Sequence, residues 1–155
     1  MYSNEIVCSI LDYINDNIKT KIKIEDISNH LCYDRYYLMK LFKNNLNISI
    51  IDYINVKKIN NSLEFLRNNN NLLNVALNSG FYSLEYFSEM FKKILGINPS
   101  TYRKIIKRNI NIKENDINIF QKNYLNLISK LEFIDTYLQN RKPKVIPVRK
   151  LSIFR

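Results

Sequence analysis

Apolar residues in the first part of the chain recur at the three- and four-residue spacing that is typical of amphipathic helices. The first stripe predicts a helix over about residues 4–18 and consists of Ile6, Ile10, Ile14 and Ile18. In the next segment, IEDISNHL, acidic residues lie in the first turn, where the helix dipole favours them. Asp34 can cap a third helix that runs through Lys43. Ser49 then opens a long helix over about 49–68.

The chain has only two glycines, and both lie at predicted helix ends. Gly80 follows a short apolar helix and Gly96 follows a longer one. Each position suits the left-handed backbone that glycine adopts without steric cost. Ser83 can cap the helix between them. The pair Asn98-Pro99 is typical of a cap followed by proline at the first helical position, so one more helix is predicted there.

One arrangement occurs twice in these elements: a helix, a tight turn and a second helix. The pattern predicts two helix-turn-helix units, a first over about 4–46 and a second over about 71–104, joined by the long helix 49–68. The predicted fold class is therefore all-α, with residues 1–104 as one domain. The remaining residues extend past it.

Charge is distributed unevenly along the 155 residues, whose net charge is +10. Residues 1–103 carry 12 basic and 10 acidic side chains, a net of +2, whereas residues 104–155 carry 12 and 4, a net of +8. A basic chain suggests nucleic acid or an anionic surface as a partner. Because most of the excess lies outside the predicted domain, charge alone does not identify the partner.

Several classes of function have little support in the sequence. The N-terminus lacks the basic start and unbroken apolar run of a signal peptide, so we expect a cytoplasmic protein. Cys8 and Cys32 are interpreted as buried, reduced thiols on apolar helix faces, with a disulfide or metal pair as the alternative. His30 has no neighbour at ligand spacing. With no phosphate loop and no catalytic constellation, we expect no enzyme, no cofactor and no metal.

Spaced positions in both units resemble a known family. The second unit contains Ala76, Gly80, Phe81, Tyr86, Phe87, Phe91, Lys92, Lys93, Gly96, Pro99, Tyr102 and Arg103. The first contains Ile27, Leu31, Tyr37, Leu38, Leu41, Phe42, Lys43 and Tyr53. In order and spacing these sets resemble the DNA-binding domain of the AraC/XylS family of bacterial transcription regulators, over roughly residues 4–104. The resemblance implies two recognition helices held about 34 Å apart, which meet successive major grooves of DNA.

Three positions depart from the family pattern. The family usually has glycine after the first recognition helix, where this chain has Leu46-Asn47. It usually has arginine in the linking helix where Lys58 lies, and alanine where Ser62 lies. These departures affect how tightly the first unit is expected to pack more than they affect the predicted fold.

The first recognition helix, about 34–43, presents a basic and aromatic face opposite its apolar stripe. That face carries Arg35, Tyr36, Met39, Lys40 and Lys43. By correspondence with the family, Tyr36, Met39 and Lys40 face bases, while Arg35 and Lys43 reach bases or phosphates. Lysine donates to guanine, and methionine and tyrosine offer apolar contact to thymine methyl groups. The alternative is an ordinary solvated helix face.

The second recognition helix, about 84–94, has a more acidic face. Its outward positions are Tyr82, Leu84, Glu85, Ser88, Glu89 and Lys92. Glutamate accepts a hydrogen bond from cytosine N4, so base reading is one interpretation. In the other, Glu85 favours the helix N-terminus and Glu89 pairs with Lys93. We expect this unit to contribute less DNA affinity than the first.

Residues 105–142 are predicted to form a basic amphipathic linker helix. Its apolar positions follow an a/d heptad pattern and are Ile117, Phe120, Tyr124, Leu127, Leu131, Ile134 and Leu138. A coiled-coil dimer through 117–138 is one interpretation of this seam. The other is that the helix packs the seam against its own domain.

Residues 143–155 contain prolines and β-branched residues that suggest a strand. This segment faintly resembles the opening strand of the GyrI-like effector domains that follow some DNA-binding modules, including Rob-like members of the family. In that interpretation a small-molecule effector binds only if a fuller C-terminal domain exists. Alternatively, the basic residues of the segment add phosphate contacts.

The leading functional prediction is a sequence-specific transcription regulator that binds double-stranded DNA and acts with RNA polymerase. The alternative is a protein-interaction module, or a weakly specific basic DNA-binding protein, that uses the heptad helix. DNA affinity through phosphates falls steeply with ionic strength, so a salt titration separates DNA binding from the protein-interaction module.

Overall fold

The computed structural model describes residues 3–68, 71–108 and 111–141. All regular structure within these ranges is helical, which confirms the all-α prediction, and none of these helices is long and apolar enough to cross a membrane. The predicted strand at 143–155 lies outside the described residues. The helices are α1 Ser3–Asp16, α2 Ile24–Leu31, α3 Arg35–Leu46, α4 Ile50–Arg67, α5 Leu72–Asn78, α6 Leu84–Leu95, α7 Pro99–Ile106 and α8 Glu114–Arg141.

Side-chain caps start the helices where the sequence predicts them. The Asp34 carboxylate accepts hydrogen bonds from the backbone N–H groups of the second and third residues of α3, at 3.0 and 3.1 Å. The Ser49 hydroxyl caps α4 and the Ser83 hydroxyl caps α6, each at 3.1 Å. Asn98 caps α7, which has Pro99 at its first position. These bonds satisfy backbone donors that would otherwise lack partners.

Left-handed residues follow five of the described helices, including Arg108 after α7, whose φ is +51°. Gly80 and Gly96 have φ of +93° and +80°, as their positions predict. Asn47, which lies where the family usually has glycine, has φ of +58° and closes α3 without distorting it, because asparagine tolerates this conformation. Cys32 closes α2 at φ +59° and is exposed. The prediction of two buried thiols is therefore correct for Cys8 and wrong for Cys32, whose position serves the turn.

The long helix α4 lies at the centre and connects the two units. It contacts α3 of the first unit, and α5, α6 and α7 of the second. Toward the first unit, the Tyr53 ring lies 5.9 Å from that of Phe42, measured between ring centroids. Toward the second, the buried Asn55 amide donates to the Tyr86 hydroxyl at 2.9 Å. A helix buried on opposite sides in this way fixes one unit relative to the other.

The heptad helix α8 packs against its own domain, on α6, α1, α4 and α7. Leu127, Leu131 and Ile134 of the seam are buried there, together with Tyr137. The Tyr137 hydroxyl also donates to the Asn4 side chain at 2.9 Å. The second interpretation of the seam is thus the correct one in this structure, because the first unit and α6 supply the apolar partner that a second copy would otherwise provide.

Residues 105–142, which are predicted to form a basic helix, carry seven basic and four acidic side chains, a net charge of +3, but the positive excess lies outside α8 itself. Between Glu114 and Arg141 the helix has three basic side chains and four acidic ones, a net charge of −1. The positive charge that the tail does carry lies on either side of α8, in 104–113 and 142–155.

Candidate nucleic-acid interface

The first recognition helix, α3, has a sharply divided surface. Leu38 and Phe42 are fully buried on one side and anchor the helix. The five residues predicted to contact DNA come together on the other side, where all are exposed: Arg35, Tyr36, Met39, Lys40 and Lys43. Tyr36 is the most open of the large apolar side chains there, at 64% exposure. No acidic residue occurs in α3, so all the charged side chains that the helix itself places on this face are basic.

Arg35 has partners within the protein. Its guanidinium forms an ion pair with Glu25 of α2 at 2.6 Å and donates to the Tyr36 hydroxyl at 2.8 Å. It also lies 4.7 Å from the Tyr36 ring centroid. A backbone hydrogen bond, together with the Arg35 guanidinium, lowers the pKa of the Glu25 carboxyl. Arg35 therefore ties α3 to α2 and orients Tyr36, a role that the sequence pattern did not indicate.

The second recognition helix, α6, is held by Phe87 and Phe91, which are fully buried. Four of the six candidate residues are exposed: Tyr82, which precedes the helix, and Glu85, Glu89 and Lys92, which share one face of it. Leu84 and Ser88 are half-buried, so less of their surface is available for contacts. Tyr82 precedes the helix and is 60% exposed.

The two acids on α6 have different surroundings. Glu85 lies in the first turn, where the helix dipole stabilises its carboxylate, as predicted. Glu89 makes no ion pair with Lys93 in the described part of the chain, so that part of the alternative interpretation is wrong. The Glu89 side chain is exposed, and Lys93 does not neutralise its carboxylate.

A buried lysine joins the two units. Lys58 of α4 is only 5% exposed, and its Nζ donates to the backbone carbonyls of Thr20 and Gly80, both at 2.7 Å. Thr20 belongs to the α1–α2 loop of the first unit, and Gly80 to the α5–α6 turn of the second. Burial lowers the pKa of the Lys58 ammonium from 10.5 to about 8. The sequence signal for this residue was a charged side chain among the apolar positions of a central helix.

Two further contacts reinforce this junction. The Gly80 backbone lies against the carbonyl of Ile18, so that a Cβ at Gly80 would collide with it. Nearby, the Lys21 ammonium lies 4.2 Å from the centroid of the Tyr82 ring, a cation–π contact between the units. We call the set Thr20, Lys21, Lys58, Gly80 and Tyr82 the inter-unit clasp. It fixes the second turn, and the start of α6 with it, against the first unit.

Comparisons with known proteins agree with this architecture. Residues 27–105 match the helix-turn-helix domain family. The transcriptional regulatory protein HptR of Staphylococcus aureus is 34% identical over 106 residues, which are 68% of this chain and 42% of that protein. The chain thus spans about two fifths of that relative's length.

Solved structures show the same fold. One is the C-terminal domain of AraT, a response regulator from Geobacillus stearothermophilus, with a TM-score of 0.61 and 27% identity over 70% of this chain and 88% of that one. Another is the DNA-binding domain of AdpA in complex with a target DNA, with a TM-score of 0.61 and 14% identity over 67% of this chain and 95% of that one. The two helix-turn-helix units, their central helix and these matches together place the chain in the AraC/XylS family of transcription regulators.

Proposed function

We propose that this chain regulates transcription by binding a specific site on double-stranded DNA, with α3 and α6 in successive major grooves. The observation that carries the proposal is the exposed basic and aromatic face of α3, held in fixed relation to α6 by the inter-unit clasp. A major groove about 12 Å wide admits one helix and exposes base edges to its side chains. The AdpA domain, which has the same fold, is described in complex with a target DNA.

In this proposal the residues of α3 have distinct tasks. Lys40 donates to guanine, and Met39 and Tyr36 pack on thymine methyl groups. Lys43, in the last turn, contacts phosphate or base. Arg35 acts mainly through Tyr36, because Glu25 and the Tyr36 hydroxyl already engage its guanidinium. The two lysines therefore supply most of the direct attraction to DNA.

The proposal gives α6 a weaker but selective role. Glu89 has no ion pair with Lys93 and is exposed, so its carboxylate is available to accept from cytosine N4. Glu85 and Ser88 flank it on the same face, Lys92 reaches the backbone, and Tyr82 and Leu84 line the approach. Against phosphates the two acids are repulsive, so we expect this unit to add less affinity than α3.

The test is selection of bound fragments from a random DNA library by the purified chain, followed by sequencing. Two preferred blocks about one helical turn apart support the proposal. Lys40→Ala should then relax the preference in one block, and Glu89→Gln in the other. A single block means that α6 does not read bases. Salt-sensitive binding without any enrichment contradicts the proposal and leaves a non-specific basic protein.

The same reasoning assigns partners and compartment. We propose RNA polymerase as the second partner, because a DNA-bound regulator changes transcription through it, and a run-off transcription assay on the selected site tests this. We place the protein in the cytoplasm, where its DNA target lies.

The seam 117–138, considered above for a dimer, packs on the protein's own core, so we propose that one chain binds the site.

A further inference from the structure

A groove of about 640 Å³ lies between the corner that joins α3 to α4, the end of α6 and the second half of α8. Its floor is a buried lining that is mainly apolar and is formed by the side chains of Val56, Met90, Leu127 and Ile134, with Asn55 as the one buried polar residue. Phe133, which is 52% exposed, forms one wall. Sites for small molecules are typically about 300–1,000 Å³ with mainly apolar linings. In size and lining, the groove fits that class.

The rim of this groove is cationic. Lys43 comes from α3, Lys93 from α6 and Lys130 from α8, and all three are exposed. Within the described residues, none of them pairs with a carboxylate, and Asp52 is the one acid that lines the groove. Three like charges from separate elements around an apolar floor repel one another in the empty site. An anion placed among them relieves that repulsion.

A second groove of about 570 Å³ shows the contrast. It lies along α4 and α7, and its lining includes one basic side chain, Arg67, and one acidic side chain, Glu64. Its charges balance, so it has no preference for an anion. The excess of positive charge therefore distinguishes the first groove.

From these observations we propose that the groove between α3, α6 and α8 binds a small amphipathic anion. The ligand class is a molecule with an apolar aromatic or alkyl body, which lies on the floor, and a single acidic group, which meets the lysine rim. Because the last turns of both recognition helices line the groove, the ligand contacts α3, α6 and α8 at once. The site belongs entirely to the described part of the chain and needs no C-terminal effector domain.

Two fluorescent probes with the same apolar body test the proposal on the full chain. 8-Anilinonaphthalene-1-sulfonate carries one negative charge, and N-phenyl-1-naphthylamine lacks it. We expect the anionic probe to bind one saturable site at least tenfold more tightly than the neutral probe. The double variant Lys93→Gln, Lys130→Gln should weaken the anionic probe at least fivefold and leave the neutral probe within twofold. Both lysines are exposed, so the fold should be retained.

Matched variants locate the binding. Phe133→Ala removes a wall of the groove from an exposed position and should weaken both probes, whereas Arg67→Gln alters only the second groove and should change neither. Equal affinity for the two probes, or a loss caused by Arg67→Gln in place of the lysine variant, overturns the proposal.

The lysine rim has one competing explanation, contact with DNA phosphates. If the double lysine variant leaves the anionic probe unchanged but reduces the salt dependence of DNA binding, the rim serves DNA and the ligand proposal fails. The probes are titrated without DNA, so their result is independent of whether the DNA-binding proposal holds.

Discussion

Replacing Lys58 by methionine removes the ammonium group of the inter-unit clasp and keeps most of the side-chain volume. The bond from a charged donor to each carbonyl is worth about 1.5–3 kcal/mol. Burial opposes this: a pKa lowered from 10.5 to about 8 means that keeping the charge costs about 3 kcal/mol. In the variant the buried carbonyl of Gly80 loses its donor, which costs about 1–3 kcal/mol. Thr20 is exposed, so its carbonyl can accept a hydrogen bond from water instead. We expect the free energy of unfolding to fall by about 1–3 kcal/mol.

The sign of the pH dependence follows from the lowered pKa. Between about pH 8 and 10.5 the unfolded chain holds a proton on Lys58 that the folded chain has released. Stability contributed by this residue therefore rises with pH across that window, by up to about 3 kcal/mol, and is constant below it. The measurement is the difference in unfolding free energy between the native chain and Lys58→Met, in which groups common to both cancel. If the free energy of unfolding of the native chain minus that of Lys58→Met fell as pH rose from about 8 to 10.5, the reasoning would be refuted.

The same variant tests whether the clasp positions α6 for DNA. By fluorescence anisotropy, we expect Lys58→Met to weaken binding to a two-block site about tenfold, equivalent to about 1.4 kcal/mol. Binding to a site with only the α3 block should change less than twofold. Lys57→Met, its neighbour on α4, is the control and should behave like the native chain. Equal losses on both sites would mean that Lys58 supports the fold generally and does not set the relation between the units.

Three further predictions concern the recognition helices and turns. Lys40→Ala should weaken specific DNA binding by about 10- to 100-fold and Lys92→Ala by less than about threefold, as measured by the same anisotropy assay; equal losses would contradict the assigned roles. Gly80→Ala should lower the free energy of unfolding by about 2–4 kcal/mol and Gly96→Ala by less, because a Cβ meets backbone at the first position and side chains, which can shift more readily than backbone, at the second. Asp34→Ala should cost about 1 kcal/mol in urea unfolding, whereas Asp34→Asn, which keeps a capping oxygen, should cost less.

The features that the sequence predicted correctly are local ones. The caps at Asp34 and Ser49 and the left-handed Gly80 depend on chain neighbours only, so residue type and spacing are enough to place them. Cys32 shows the limit of the same reasoning. Its place at the end of an apolar segment suggested burial, but the turn that joins α2 to α3 required a left-handed residue there and put it in solvent.

The features that the sequence did not predict depend on contacts between distant parts of the chain. Lys58 bonds to residues 38 and 22 positions away, and nothing in the local pattern of α4 names those carbonyls. The heptad seam of α8 likewise specifies an apolar partner without specifying which one. Its burial against α1 and α6 is a property of the assembled fold. The ion pair from Arg35 to Glu25 also joins two helices whose relative placement only the fold determines.

Acidic side chains on a DNA-reading helix become useful once the helix is held rigidly. If α6 were free to move, Glu85 and Glu89 would keep it away from phosphates, and α3 would bind alone. In the proposed complex the clasp presents α6 to the groove whenever α3 is bound, because Lys58 and Gly80 tie the second turn to the first unit. Under the proposed function, Glu89 then penalises sequences that lack a cytosine donor at its position, while α3 supplies the attraction. Specificity is a difference between affinities for different sequences. A repulsive unit coupled to an attractive one therefore increases the discrimination between DNA sequences without increasing the affinity for the correct one.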